Sequence, residues 1–132
     1  MTTEGMKPPA QMPMIRTIAM PADANANGDI FGGWLMSQMD LAAGNLAVRV
    51  AHGRCVTVAV EAMSFLRPVK VGDEVTVYCE LLSTGRSSMN ISVEAWRRER
   101  SEEDDHQVTK AVFKFVAIDA EGRSRPIKKD AG

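Results

Sequence analysis

One segment of the sequence, Gly32 to Ala51, is too long, too apolar and too free of proline to form a strand. Its charged side chains are Asp40 and Arg49 alone. Such a segment predicts an α-helix of about five turns. Stepping 100° per residue gives this helix one apolar side opposite Asp40, suited to packing on a sheet. That side consists of Leu35, Met39, Ala42 and Leu46.

Asp40 is an unusual residue for such a helix, because a second apolar side carries Trp34, Leu41 and Val48. A helix that is apolar on two sides is enclosed by more than one neighbour, and a carboxylate buried there is costly unless it is paired or hydrogen-bonded. A structural role, bonded to a turn or facing solvent, and a catalytic role as general base or nucleophile both account for it. The face around Asp40 consists mostly of small residues and predicts a contact surface: Gly33, Met36, Ser37, Ala43, Gly44 and Ala47.

Four long runs rich in Val, Ile, Thr and aromatic residues follow the helix and contain the period-2 stretches of strands. They are CVTVAVEAMSFL, DEVTVYCELLSTG, SSMNISVEAWRRE and HQVTKAVFKFVAIDA. Their short breaks predict antiparallel hairpins, with RRERSEEDD as a solvated loop. With the strand MIRTIAM before the helix, the order predicts an α+β fold: a long central helix wrapped by a curved antiparallel sheet of five or so strands.

The length of 132 residues suits one domain. Prolines 8, 9 and 13 predict a disordered leader over 1–13, followed by the domain over 14–127 and a flexible tail over 128–132. We expect no membrane contact and a cytoplasmic location, because no apolar run is long enough to span a bilayer and the start lacks the order of a secretory signal.

Net charge and residue spacing argue against nucleic-acid binding, a metal site and a histidine-based mechanism. A formal net charge of -1 argues against a nucleic-acid partner, which would need a basic stripe. Cys55 and Cys79 stand apart, without a CxxC pattern or a nearby histidine, so we expect buried free thiols and no metal site. His52 is placed as a helix C-cap beside the terminating Gly53, and a Ser-His-Asp or Cys-His mechanism has no support.

The start of the helix offers a complementary feature, since Gly32 and Gly33 stand there. The first turn has unpaired N–H groups and a partial positive charge, and glycine lets a substrate approach them. Such an end can polarise a carbonyl and stabilise an oxyanion. Gly33 and Asp40 are about 10 Å apart along the axis, which is long for one carbonyl carbon. We therefore expect the donor end of one helix to face Asp40 of a second, symmetry-related chain, in sites shared across a two-fold dimer.

Four segments carry a family resemblance and span most of residues 17–127: TIAMPADANANGDIFGGWLMSQMD, AHGRCVTVAVEAMSFLRPVKVGD, GRSSMNISVEAW and AVFKFVAIDAEGRSRPI. They resemble the YciA-like acyl-CoA thioesterases of the hotdog-fold superfamily. The resemblance implies that an acyl-CoA thioester is hydrolysed to a free acid and coenzyme A. It also implies homodimers, commonly arranged as trimers of dimers. Coenzyme A would enter as part of the substrate, so no resident cofactor is expected.

By this resemblance, Asp40 takes the place of the catalytic carboxylate and Gly32-Gly33 that of the thioester-polarising helix start. Asp29 matches a position where related hydrolases carry an Asn or Asp that touches the site, although a helix N-cap would also account for it. Asn27 is similarly placed, and a turn with Gly28 would account for it as well.

The segment GRSS resembles the family's coenzyme A segment. Arg86 offers a fork of donors to phosphate, while Ser87 and Ser88 add hydroxyl and N–H groups at a turn with Gly85. Spacing alone would make this an ordinary hairpin turn. Arg67 and the nearby Lys70 are further basic candidates, for which solvated surface charge is an equal explanation.

Several alternatives stay open. Ser37 could bond Asp40 or the substrate, or only pack on the helix surface. Asp40 could activate water or form a covalent acyl intermediate. A hotdog protein could also bind acyl-CoA as a sensor without hydrolysing it. A hydratase or dehydratase of this fold is the last alternative, but it would be expected to carry a histidine beside the carboxylate.

Overall fold

The computed structural model describes residues 7–127, and its elements follow the predicted order. Residues 1–6 of the expected leader and the whole expected tail, 128–132, lie outside the described residues. The elements are β1 (Ile15–Ile18), a short 3-10 turn (Pro21–Asp23), α1 (Gly32–Ala51), β2 (Cys55–Phe65), β3 (Glu74–Thr84), β4 (Ser88–Arg98) and β5 (Asp105–Ala117).

The five strands form one antiparallel sheet in the order β1-β3-β4-β5-β2. The hairpins β3-β4 and β4-β5 confirm the predicted connections, with residues 99–104 as the loop of the second. The expected hairpin between β2 and β3 was wrong, because β2 pairs with β5 and lies at the opposite side of the sheet from β3.

Residues 66–73, which we call the crossing segment, carry the chain from β2 past the helix start to β3. Within this segment Val69 is buried, with 4% of its surface exposed. The carbonyl of Val69 accepts a hydrogen bond of 2.9 Å from Ile30 N–H. The crossing is favoured over a hairpin because it closes the core at the start of α1 with a buried side chain and a paired backbone.

The helix packs its predicted side on the sheet, since Leu35, Met39 and Ala42 are buried. Ala43 and Ala47 were expected beside Asp40 at a contact surface, and the sheet is what they contact, because both are completely buried in the core. Their small size lets the sheet come close: a Cβ at Gly44 would lie 3.7 Å from the ring of Phe115. The buried helix residues are Leu35, Met39, Ala42, Ala43, Ala47 and Ala51.

The second apolar side of the helix is open. Leu41 is 63% exposed and Val48 is 46% exposed. The neighbouring edge strand β2 exposes three valines, at 40%, 52% and 36%. Those valines are Val56, Val58 and Val60. Within residues 7–127 nothing covers this combined surface of α1 and β2, which we call the open face.

The two ends of α1 are closed differently. At its start Phe31 provides no side-chain hydrogen bond to the first turn. At its end His52 takes the left-handed conformation, with φ 53°, and donates its N–H to Val48. This confirms His52 as the C-cap, but the left-handed residue is His52 rather than Gly53. Arg125 donates to the carbonyls of Ala51 and Ile118 nearby, and a Cβ at Gly53 would lie 2.5 Å from its Nη2 atom.

No helix within residues 7–127 is long and apolar enough to cross a membrane.

Candidate active site

A tight turn leads into the helix. The side chain of Asn25 accepts hydrogen bonds from the N–H groups of Asn27, at 2.9 Å, and Asp29, at 3.2 Å. Gly28 has φ 86°, a conformation that glycine adopts without strain. Asn27 is exposed and its backbone belongs to this turn, in agreement with the turn interpretation of the sequence. Asn25, which organises the turn, is a residue that sequence reasoning passed over, although an Asn two residues before Asn-Gly is a known turn signal.

The helix start opens into a pocket of about 460 Å³, which we call the donor pocket. Gly32 and Gly33 are both exposed, and their N–H groups have no hydrogen-bond partner within the part of the chain described. A Cβ at Gly33 would meet nothing within 4 Å, so a ligand has room to approach its backbone. The pocket is lined by Ile30, Phe31, Gly32, Leu35, Phe65, Leu66, Arg67, Pro68, Val69 and Val108.

Asp40 lies in a second pocket of about 380 Å³, which we call the carboxylate pocket. It is half-buried, and its Oδ1 atom accepts a hydrogen bond of 2.5 Å from the hydroxyl of Thr57 on β2. Ser37 does not bond Asp40, because its hydroxyl donates to the carbonyl of Trp34 at 2.7 Å. The carboxylate pocket is lined by Asp40, Leu41, Gly44, Asn45, Val48, Cys55, Thr57 and Phe115.

Thr57 is a second residue that sequence reasoning missed. Its hydroxyl can hold one oxygen of Asp40 in a fixed direction and leaves the other oxygen available. The sequence signal was weak, because threonine in a strand is ordinary. Only the pairing of β2 with β5, which sets the strand beside the middle of the helix, brings the two residues together.

The donor and carboxylate pockets share no lining residue. Gly32 lines the donor pocket and Asp40 lines the carboxylate pocket. Gly33, beside Gly32, is about two helical turns from Asp40, which corresponds to about 10 Å along the axis. A single chain therefore presents two half-sites and does not bring the helix start and the carboxylate to one point.

Asp29 lies near the helix start but does not cap it, so the N-cap interpretation was wrong: the cap position belongs to Phe31. The carboxylate of Asp29 instead forms an ion pair with the ammonium group of Lys70, and the two residues also form an isolated β-bridge. This contact ties the turn before the helix to the crossing segment. It also compensates the charge of Lys70, which makes Lys70 a weaker candidate for phosphate.

The GRSS turn joins β3 to β4, where Gly85 N–H donates to Ser88 O at 2.8 Å. Two neighbours hold this turn in place, because the carbonyls of Arg86 and Ser87 accept hydrogen bonds of 2.8 Å from Ile127 and Ala117. The Arg86 side chain is exposed. Hydrogen bonds therefore fix the backbone of the turn, and the guanidinium group of Arg86 is exposed.

The basic candidates are divided between the two ends of the sheet. β2 and β4 both begin beside the end of β5, as the pairs Cys55–Ala117 and Ser88–Val116 show. The GRSS turn thus lies at the end of the sheet nearer to the carboxylate pocket. Arg67 follows the other end of β2 and lines the donor pocket. One chain does not bring Arg67 and Arg86 together.

The two cysteines are free and half-buried rather than fully buried. Burial raises the pKa of Cys79 to about 12, and burial also raises the pKa of Cys55, against the opposing charge of Arg125. Cys55 lines the carboxylate pocket, yet its thiol is held in the protonated form and donates to the carbonyl of Gly53 at 3.5 Å. A thiol in that state is a poor nucleophile. Among the described residues, no group of three or more His, Cys, Asp or Glu side chains could hold a metal ion.

The sequence and the fold are similar to those of known proteins. Residues 27–103 match the thioesterase superfamily. The acyl-CoA thioester hydrolase YciA of Escherichia coli is 52% identical over 117 residues, which cover 86% of this chain and 89% of the relative.

Two solved structures are also similar. A hexameric broad-specificity acyl-coenzyme A thioesterase shares 50% identity, covers 98% of this chain and 90% of its own, and superposes with a TM-score of 0.89. The hexameric thioesterase of Yersinia pestis shares 48% identity, covers 92% of this chain and 99% of its own, and has a TM-score of 0.87. These similarities extend over most of the chain, so the chain belongs to the YciA-like thioesterases of the hotdog-fold superfamily.

Proposed function

We propose that this protein hydrolyses acyl-CoA thioesters to a free acid and coenzyme A. The observation that carries the proposal is the pair of half-sites on α1. One is an open helix start with two exposed glycine N–H groups, and the other is a half-buried carboxylate held by a threonine hydroxyl. Hydrolysis of a thioester needs both, because one group must stabilise the developing oxyanion and the other must activate the nucleophile.

In the proposed reaction, Gly33 N–H binds the thioester carbonyl oxygen and the helix start stabilises its negative charge. Asp40 removes a proton from a water molecule as the water oxygen attacks the carbonyl carbon. The carbon–sulfur bond then breaks, and the thiolate of coenzyme A leaves and takes up the proton. Thr57 keeps Asp40 oriented throughout.

A covalent route uses the same residues, with Asp40 attacking the carbonyl carbon and water then hydrolysing the acyl anhydride. A single turnover in ¹⁸O-labelled water detects the covalent route when the water attacks the Asp40 carboxyl carbon of that anhydride, because the label then enters the enzyme instead of the product acid. We expect no label in the Asp40 carboxylate, measured by mass spectrometry of the peptide that contains it. Label in that carboxylate would establish the covalent route.

The complete site is proposed to form between two chains. The open face surrounds the carboxylate pocket with exposed apolar side chains of α1 and β2, which water solvates poorly. A two-fold dimer through this face would set Gly33 of one chain opposite Asp40 of the other. The same pairing would bring Arg67 of one chain toward the Arg86–Ser88 turn of the other, which gives the coenzyme A phosphates cations on both sides.

We further propose that these dimers assemble into a hexamer, a trimer of dimers, because the similar solved thioesterases are hexameric. The cytoplasmic location and the lack of a resident cofactor stay predictions from the sequence.

Mixing two inactive variants tests the shared site. Asp40→Asn removes the base, and Gly33→Pro removes the donor N–H in the first turn, where proline is tolerated. After unfolding together and refolding, half of the dimers carry one chain of each kind, and one of their two sites is intact. We expect about a quarter of the wild-type rate to return. No recovery in well-folded mixed dimers would place each site within one chain.

A panel of acyl-CoA substrates with a free-thiol reagent separates hydrolysis from the other functions of this fold. Release of thiol supports the thioesterase. Binding without release would indicate a sensor, and conversion of an enoyl-CoA without release would indicate a hydratase. Ser101→Ala is a suitable control, because Ser101 is an exposed residue of the β4–β5 loop that lines neither the donor pocket nor the carboxylate pocket.

A further inference from the structure

The edge strand β2 contains a residue with an unusual backbone conformation. Ala62 has φ 57°, in the left-handed region that glycine adopts freely and alanine adopts rarely. Among residues 7–127 the other non-glycine residue with a positive φ is His52, which closes the end of α1. Ala62 lies inside a strand and closes no helix, so its conformation needs a different explanation. Residues held in this region cluster at active sites and ligand-binding sites.

Ala62 forms a β-bulge in the pairing of β2 with β5. The pairs on either side of the bulge leave one residue of β5, Ala111, opposite both Ala62 and Met63. In a G1 bulge the first residue has the left-handed conformation and is a glycine. Ala62 takes this position with a side chain that disfavours it. The extra residue changes the side of the sheet that the following side chains of β2 face.

The bulge decides the direction of Phe65. Glu61, immediately before the bulge, pairs with Val112. Val112 lies between two core residues of β5 and therefore faces away from the helix. In a regular strand Phe65, four residues after Glu61, would face the same way, because side chains alternate with a period of two. The extra residue reverses this direction, and Phe65 faces the helix instead.

The ring of Phe65 lies against the start of the helix. A Cβ on Gly32 would lie 3.4 Å from the Cζ atom of Phe65. Hydrogen bonds to β5 fix the backbone on both sides of Phe65. The carbonyl of Ser64 accepts one of 2.6 Å from the hydroxyl of Thr109, and the N–H of Leu66 donates one of 2.7 Å. The ring is therefore held in one place, as a wall of the donor pocket beside Gly32.

The donor pocket is suited to the acyl group of a thioester. Among the described residues that line it, only Arg67 has a polar side chain. The pantetheine arm of coenzyme A contains amide groups, which would lose hydrogen bonds in an apolar pocket, whereas an acyl chain would lose none. With the thioester carbonyl on Gly33 N–H, an acyl chain that enters the pocket would pass the ring of Phe65.

We propose that Ala62 is a positioning residue for substrate specificity. Its left-handed bulge holds the ring of Phe65 against Gly32, and the ring limits the size of the acyl group that the donor pocket accepts. This inference rests on the hydrolysis proposed above and names the feature that selects the acyl group. The effect is on the choice of substrate and not on the base, Asp40.

Phe65→Ala tests the wall. We expect the ratio of kcat/KM for decanoyl-CoA to kcat/KM for butyryl-CoA to rise by about tenfold, because the smaller side chain leaves room for the longer acyl chain. Thiol release measures both reactions. An unchanged ratio, with hydrolysis by the wild type intact, would overturn this inference and leave the proposed function standing. No thiol release by the wild type from any acyl-CoA would overturn both.

Ala62→Val tests the bulge, because a β-branched side chain is strongly disfavoured in the left-handed region. We expect the ratio to shift in the same direction as in Phe65→Ala, and no further shift when the two substitutions are combined. Ala62→Gly should keep the wild-type ratio, because glycine adopts this φ without strain. If the valine variant does not fold, the unbranched Ala62→Leu makes the same test with less strain.

Ala59→Val is the matched control, because Ala59 belongs to the same strand and lies outside the left-handed region. We expect it to keep the wild-type ratio. Two results would show that the ratio responds to any disturbance of β2 and would overturn the role of Ala62. One is an equal shift caused by Ala59→Val, and the other is additive shifts in the double variant of Ala62→Val and Phe65→Ala.

Discussion

The donor pocket and the carboxylate pocket lie on the same helix but are built in different ways. The donor pocket is enclosed by the crossing segment and the ring of Phe65, so a single chain supplies its walls. The carboxylate pocket is a shallower hollow between α1 and β2 whose rim is the exposed apolar open face. The comparison shows that the pocket proposed to bind the carbonyl has its walls within one chain, whereas the pocket proposed to activate water is bordered by the exposed open face, where a partner chain is proposed.

Removing the base should have the largest effect. Asp40→Asn keeps an oxygen that can accept the Thr57 hydrogen bond but abolishes the basic group. We expect kcat to fall on the order of 10³-fold, with an unchanged circular dichroism spectrum and oligomeric state. Steady-state thiol release is the measurement. Near-normal turnover would remove Asp40 from the chemistry and leave the carboxylate pocket without a function.

Changing the helix start should have the next largest effect. Gly33→Pro deletes one oxyanion donor, and we expect kcat to fall by about 100-fold. Gly33→Ala keeps the N–H, and its Cβ would meet nothing within 4 Å among residues 7–127, so any loss it causes comes from obstructing the substrate. Comparing kcat for the two variants separates the effect of the hydrogen bond from Gly33 N–H from the effect of the space that Gly33 leaves for the substrate. Equal losses of kcat would show that Gly33 is needed for the space it leaves and not for the hydrogen bond from its N–H.

The contact between β2 and Asp40 should have an intermediate effect. Thr57→Val keeps the shape of the side chain and removes the hydroxyl that donates to Oδ1. A hydrogen bond to a charged group contributes about 1.5–3 kcal/mol, so we expect kcat to fall by about tenfold or more. Thr57→Ser should restore most of the rate, and KM should stay constant. A change in KM alone would make Thr57 a substrate contact instead of a positioning residue.

The two candidate cations for coenzyme A should give the smallest effects, because Arg86 is exposed and Arg67 is half-buried. We expect Arg86→Ala and Arg67→Ala each to raise KM for acyl-CoA by about fivefold. KM for the matching acyl-pantetheine, which lacks the nucleotide phosphates, should not change. A rise confined to one variant would show that only that arginine binds the phosphates.

The sequence was sufficient to place α1 and the four long strands, because their signals are local. Proline-free apolar periodicity determined the helix, and β-branched runs determined the strands. Asp40 and Gly33 could be singled out for the same reason, since one is a lone charge and the other stands at a helix start. Their roles in the reaction remain predictions until the variants are measured.

The errors came from contacts between residues distant in sequence. The β2–β3 hairpin was expected because the break is short, but the burial of Val69 against the helix start favours a crossing. Asp29 was open to a capping role until its ion pair with Lys70 was visible. Thr57 had only a weak local signal, because threonine is ordinary in a strand. In each case a pairing across the fold decides which of several locally acceptable roles a residue takes.

The crossing segment both connects β2 to β3 and lines the donor pocket. This double role limits which of its residues can change without disturbing the fold. Leu66 and Val69 both line the donor pocket, but their side chains differ in burial: Leu66 is 45% exposed and Val69 is 4% exposed. A larger or smaller residue at position 69 would alter the pocket and disturb the core together. Position 66, whose backbone is held by a 2.7 Å bond to Val108, can change its side chain with little effect on the core. Divergence in acyl-group preference is therefore expected to accumulate at Leu66 and at the neighbouring Phe65 before it reaches Val69.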